Sequence, residues 1–116
     1  MTTLATSPAA ATAQLADLKP VPFTDVRVEP DSFWGRYLTL TREHVAPANL
    51  TQCELSGRVR NFAIAAGQRT GGFQGRWYFN DSDVYKTLEG VANCLAIHPD
   101  RKLEAEADYL ISLIFA

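Results

Sequence analysis

The sequence predicts a mostly α fold assembled from helical hairpins, with a short extended segment in front. Three observations carry this. Val84, Leu88, Val91 and Leu95 fall at i, i+4, i+7 and i+11, the spacing of one helix face. Leu103, Ala107, Leu110, Ile111 and Ile114 repeat that spacing. Only His98-Pro99-Asp100 separates the two runs, and a link that short forces neighbouring antiparallel helices.

In chain order, residues 1–19, "MTTLATSPAAATAQLADLK", are rich in Ala and Thr and lack the basic start and apolar centre of a signal peptide. They are expected to be a disordered tail. "KPVPFTDVRVEPDSFW" carries Pro20, Pro22 and Pro30 and alternates around Val26 and Val28, so extended chain with one short strand, "FTDVRV", is expected. Asp31 or Ser32 can cap the next helix. "FWGRYLTLTREHV" reads as a helix ending near Pro47, because proline removes a backbone donor and disfavours helix just before it. "ANLTQCELS" continues as a short helix with Gly57 as its stop. "RVRNFAIAAGQ" places Val59, Phe62, Ala63 and Ala66 on one side of another. "RTGGFQGRWYFN", with Gly71, Gly72 and Gly75, is a loop. Two helices close the chain. The first turns Lys86, Glu89 and Asn93 away from its apolar face and ends at Pro99; Asp100 caps the second.

Composition narrows the function. The chain has 116 residues, 47% hydrophobic and 21% charged, and a net charge of −2, which suits one small soluble domain. No basic stripe marks a nucleic-acid surface, and no apolar run reaches membrane-spanning length. The compartment is left open, with a cytoplasmic setting favoured. Cys53 and Cys94 lack metal-ligand spacing and read as partly buried free thiols. His44 and His98 form no ligand pair, and His98 sits where it can meet the last helical carbonyls. "TGGFQG" lacks the phosphate-loop pattern and reads as turns. Asn49-Leu50-Thr51 and Asn80-Asp81-Ser82 match glycosylation acceptors, a pattern frequent by chance.

The polar cluster in "FNDSDVYKTLEG" carries two readings. Asp81 can cap the helix by accepting from the amide of Asp83 or Val84, with Asp83 favourably placed against the helix dipole. Alternatively, the carboxylates border a cleft, and the flanking Trp77, Tyr78, Phe79 and Tyr85 suit a sugar unless they are simply core.

"VPFTDVRVEPDSFW" (21–34), "QCELSGRVRNFAIAAG" (52–67), "GGFQGRWYFNDSDVYKTLEG" (71–90) and "LAIHPDRKLEAEADYLISLI" (95–114), in that order and spacing, resemble the N-terminal part of glycoside hydrolase family 127, the β-L-arabinofuranosidase-like family. The resemblance implies that residues 20–116 are the first portion of an (α/α)6 barrel of helical hairpins, cut short at the C-terminal side. It implies removal of L-arabinofuranose from non-reducing ends by a cysteine nucleophile held near zinc, with a glutamate acid/base. Zinc would lower the thiol pKa and fix its position. Cys53 and Cys94 match none of the family's catalytic cysteines, so no catalytic or metal residue is carried over. Asp81, Ser82, Asp83, Tyr85 and Lys86 match a family block and are the candidate substrate-binding residues. The expectation is a glycosidase fragment inactive alone, with carbohydrate as partner and zinc as cofactor only of the full-length protein. A small helical interaction module, or one piece of a split enzyme, is the alternative. In "YLISLIFA", Tyr109, Leu113 and Phe115 lie outside the main stripe. The last turn is therefore apolar nearly all round and is expected to drive self-association.

Overall fold

A computed structural model describes residues 18–116; the expected tail lies outside the described residues except for Leu18 and Lys19, which are exposed and without regular structure. Among the described residues all regular structure is helical. A 3-10 turn, Phe23–Asp25, precedes α1 (Phe33–Leu40), a π turn (Thr41–Val45), α2 (Ala46–Leu55), α3 (Arg58–Ala65), α4 (Asp81–Ile97) and α5 (Arg101–Ile114).

The strand expected at "FTDVRV" does not form. Phe23–Asp25 is a 3-10 turn closed by Asp25 N–H to Pro22 O at 2.9 Å, and Val26 and Val28 are exposed. A strand needs a ladder partner, and among the described residues no other segment is extended in a ladder. Ser32 caps α1, its hydroxyl accepting from Gly35 N at 3.0 Å while donating to Glu29 O at 2.7 Å. Gly35 is the buried residue of α1, tucked under the Glu29–Pro30 turn.

The helix does not end near Pro47. α1, the π turn and α2 run on as one rod, with Pro47 in the first turn of α2. The missing proline N–H would leave an α-helical carbonyl unserved, and the ring would strike the preceding turn. The wider π turn relieves both, since Ala46 N–H reaches back five residues to Thr41 O. Gly57, at φ +79°, ends α2 and starts α3; a Cβ there would also lie 2.6 Å from Gln74 Cβ.

The core is shared by α2 to α5. Ala46, Leu50 and Cys53 of α2, Val59 and Ala63 of α3, and Leu103, Ala107, Leu110 and Leu113 of α5 close around Val84 and Val91 of α4. Leu88, Leu95, Phe62 and Cys94 pack at its margin. The two long helices meet through the short His98–Asp100 link as expected. On α5 the stripe differs from the expected one in its last turn. Leu113 is buried at 3% exposure while Ile111 is 42% exposed, so they exchange roles, and Ile114 is half-buried. The helix turns Leu103, Ala107, Leu110 and Leu113 inward, and Tyr109, Ile111 and Phe115 are left out.

Asp100 caps α5 as expected, its Oδ1 accepting from Lys102 N at 2.9 Å and Leu103 N at 3.1 Å. Asp81 does not cap α4. The cap position is Asn80, in helical conformation and with its side chain engaged elsewhere, so Asp81 is already the first helical residue. Its carboxylate, with that of Asp83, acts on the helix only through the dipole. Asp100→Ala is therefore expected to cost ~1 kcal/mol, and Asp81→Ala no more than the ~0.3–0.5 kcal/mol of an exposed dipole interaction. Equal losses in urea titrations would restore Asp81 as the cap. A Cβ on Gly35 would collide with the carbonyl oxygens of Glu29 and Pro30. Gly35→Ala should thus destabilise by about 1–3 kcal/mol, as overpacking does; an unchanged unfolding midpoint would refute this close approach.

Candidate functional site: a polar cleft between α2 and α4

In the first two turns of α4, Asp83 and Lys86 face α2 across a polar cleft of ≈ 360 Å³. Asn49, Gln52 and Ser56 of α2 and Arg58 of α3 complete its walls. Arg58 enters because Gly57 turns the chain sharply between α2 and α3. Its Nε donates to Asp83 Oδ2 at 2.8 Å, an ion pair with both side chains partly exposed and so worth at most about 1 kcal/mol. The cleft thus offers amide donors and acceptors, a hydroxyl, a paired carboxylate and an ammonium. That set can hydrogen-bond the hydroxyls of a sugar.

The five residues singled out in the sequence do not stay together. Asp83 and Lys86 line the cleft. Asp81 is exposed at the helix start, and Ser82 donates to Phe79 O at 3.1 Å. Tyr85 packs edge-on against Phe62, with ring centroids 5.7 Å apart, on the α3 side. Residues 83, 86 and 87 share a helix face that 81, 82 and 85 do not. Asn49, Gln52, Ser56 and Arg58 were missed because each is an ordinary polar residue of a short helix. Only the packing of α2 on α4 selects them.

Cys53 forms the floor of the cleft. Thr87 Oγ1 donates to Asp83 O at 2.7 Å, which leaves its lone pairs toward Cys53 Sγ at 3.6 Å. The thiol is therefore the donor, with Asp83 O a second, longer acceptor at 4.0 Å. Cys94 lies apart at the core margin, where burial pushes its thiol pKa up and Arg42 opposes this in part. Zinc needs thiolates converging with other ligands. Among the described residues no three His, Cys, Asp or Glu side chains are grouped to hold a metal. Cys53 is used as a donor and burial raises the Cys94 thiol pKa, so these residues do not fit the zinc that the resemblance implies.

The loop between α3 and α4 is pinned to α3 and to the residue that precedes α4. Asn61 grips the backbone of Gln74 at both ends, accepting from its N–H at 2.7 Å and donating to its C=O at 2.8 Å. Asn80, 8% exposed, donates to the same carbonyl at 3.0 Å. A side chain so committed leaves the Asn80-Asp81-Ser82 acceptor pattern without an accessible amide. His98 contributes its backbone N–H to Cys94 O at 2.9 Å. Among the described residues no helix is long and apolar enough to cross a membrane.

Comparison with known proteins bears on what this scaffold belongs to. The non-reducing end beta-L-arabinofuranosidase of Bifidobacterium longum subsp. longum is 48% identical over 59 residues. That stretch is 51% of this chain and 9% of the relative, so the match spans a small part of the relative's length. No solved structure matches. The family model described as beta-L-arabinofuranosidase, GH127 catalytic domain, matches residues 25–116, and the chain belongs to that family.

Proposed function

We propose that this chain is one part of a glycoside hydrolase of the β-L-arabinofuranosidase type, supplying helical hairpins of an (α/α)6 barrel and no nucleophile of its own. The observation that carries the reading is the family match across residues 25–116. The α4–α5 hairpin and the mostly helical architecture support it. In this reading carbohydrate is the partner. Asp83 and Lys86 border the substrate site directly, Ser82 and Tyr85 help fix the start and rotation of the helix that presents them, and Asp81 adds only a dipole interaction. The chain contributes scaffold and cleft wall, while zinc and the cysteine chemistry belong to other parts of the catalytic domain.

The absence of turnover from the chain alone is the expected outcome. Purified chain, supplied with zinc and an aryl β-L-arabinofuranoside, should release no aryl alcohol above the blank. Turnover abolished by Cys53→Ser or Cys94→Ser would overturn the assignment of scaffold.

The outer face of α5 supports the same reading. Tyr109 and Ile111 are half exposed, Phe115 is 86% exposed, and Leu55 of α2 is 75% exposed. Burying one such side chain is worth about 1.5–3 kcal/mol, and a face of this kind normally marks a contact surface. In a ring of hairpins a neighbouring hairpin covers it, and the chain by itself is expected to self-associate there. Sedimentation velocity should show concentration-dependent association that is lost in the Ile111→Gln, Phe115→Gln double variant. A monomer at all concentrations, indifferent to those changes, would rule the contact surface out.

A further inference from the structure

Charge is segregated in this chain. Between Leu55 and Asn80 there are four arginines, Arg58, Arg60, Arg69 and Arg76, and no Asp or Glu, although the whole chain carries a net charge of −2. Two of the four are occupied: Arg58 pairs with Asp83, and Arg76 lies 4.9 Å over the Trp77 ring. Arg60 and Arg69 are not in an ion pair among the described residues. They line the same two adjoining depressions, ≈ 430 and ≈ 370 Å³ in volume.

Both side chains spring from anchored backbone. The chain leaves α3 through Gly67, at φ +70°, with Gln68 N and Arg69 N both donating to Ala63 O, at 2.9 and 3.1 Å. This wraps Arg69 back over the end of the helix that carries Arg60. Arg60 Nη2 donates to Thr70 O at 3.3 Å, which leaves its remaining donors available. Glu54, Gln74 and Gly75 also line the larger depression, and Gln74 is held by the Asn61 and Asn80 clamp.

We propose that the Arg60–Arg69 depression binds the carboxylate of an acidic sugar residue within a glycan. Two guanidinium groups with free donors on anchored backbone suit a planar carboxylate. Glu54 can accept hydrogen bonds from sugar hydroxyls, and Phe73 and Tyr78 of the loop between α3 and α4 are exposed apolar surface against which sugar C–H groups can lie. This inference rests on the glycosidase reading for its choice of a glycan over another anion.

The test is calorimetric titration of the full chain with trigalacturonate, cellotriose and inorganic phosphate at one ionic strength. Trigalacturonate should bind. Arg60→Gln and Arg69→Gln should each weaken it about tenfold, the loss expected for a charged hydrogen bond, and Arg69→Lys should weaken it less than Arg69→Gln. Arg101→Gln, on the exposed start of α5, should leave it unchanged, and added salt should weaken it. The proposal is overturned if trigalacturonate does not bind, if cellotriose or phosphate binds as tightly, or if Arg101→Gln matches the Arg60 and Arg69 variants. None of these readouts involves turnover, so failure here leaves the glycosidase reading standing, and failure of the turnover assay leaves this site untouched.

Discussion

Everything in this fold leans on α4. Val84 and Val91, two turns apart, are its fully buried side chains, and they are enclosed by apolar residues from α2, α3 and α5. A stripe this narrow allows a second use of the same helix. Immediately beside it, Asp83 and Thr87 meet Cys53, and there the interface changes from apolar to polar. The cleft is thus the edge of the core, and its shape is set by how closely α2 approaches α4. Small residues at that contact, Ala46 and Cys53, permit the approach. A bulkier residue at Cys53 would part the helices and remove the cleft along with the packing.

The long, strongly periodic helices were legible in the sequence, as were the Asp100 and Ser32 caps and the glycine stop at Gly57. What was not legible has a physical pattern. Pro47 reads as a terminator because local chemistry says so, but the π turn before it supplies an alternative bonding scheme that residue types alone do not announce. Asp81 reads as a cap because acids cap helices. Asn80 pre-empts it, because the demand from Gln74's carbonyl draws the Asn80 side chain into the loop, and that demand arises from a residue six positions earlier. Ile111 and Leu113 exchange roles because, counted from Leu103, helical spacing admits both an i+7/i+8 and an i+7/i+10 continuation of the stripe. Only contact with α4 and α3 selects between them.

The candidate site was legible to a smaller degree. Five nearly consecutive positions, Asp81 to Lys86, belong together in sequence through their shared block. A helix distributes such a block around its axis, and only Asp83 and Lys86 point into the cleft. The partners they meet come from residues some thirty positions earlier, with no motif to connect them. In sequence Arg60 and Arg69 read singly, as dispersed charge. Their grouping arises from the turn at Gly67 and the clamp on Gln74, both tertiary features.

These placements also bear on where catalytic chemistry can reside. A nucleophilic thiol needs a depressed pKa, a nearby cation or metal, and freedom from donating its proton to the fold. Cys94 fails the first, since burial raises its pKa against the opposing influence of Arg42. Cys53 fails the last, since its proton bridges α2 to Thr87 and the Asp83 carbonyl. One oxygen of Asp83 accepts from Arg58, which leaves the other as a hydrogen-bond acceptor beside the cleft. What remains is a set of fixed donors and acceptors on rigid helices and a clamped loop. Such groups can fix the position of a hydrogen-bonding ligand, and under the proposed function the hairpins would supply geometry for a nucleophile from elsewhere in the catalytic domain.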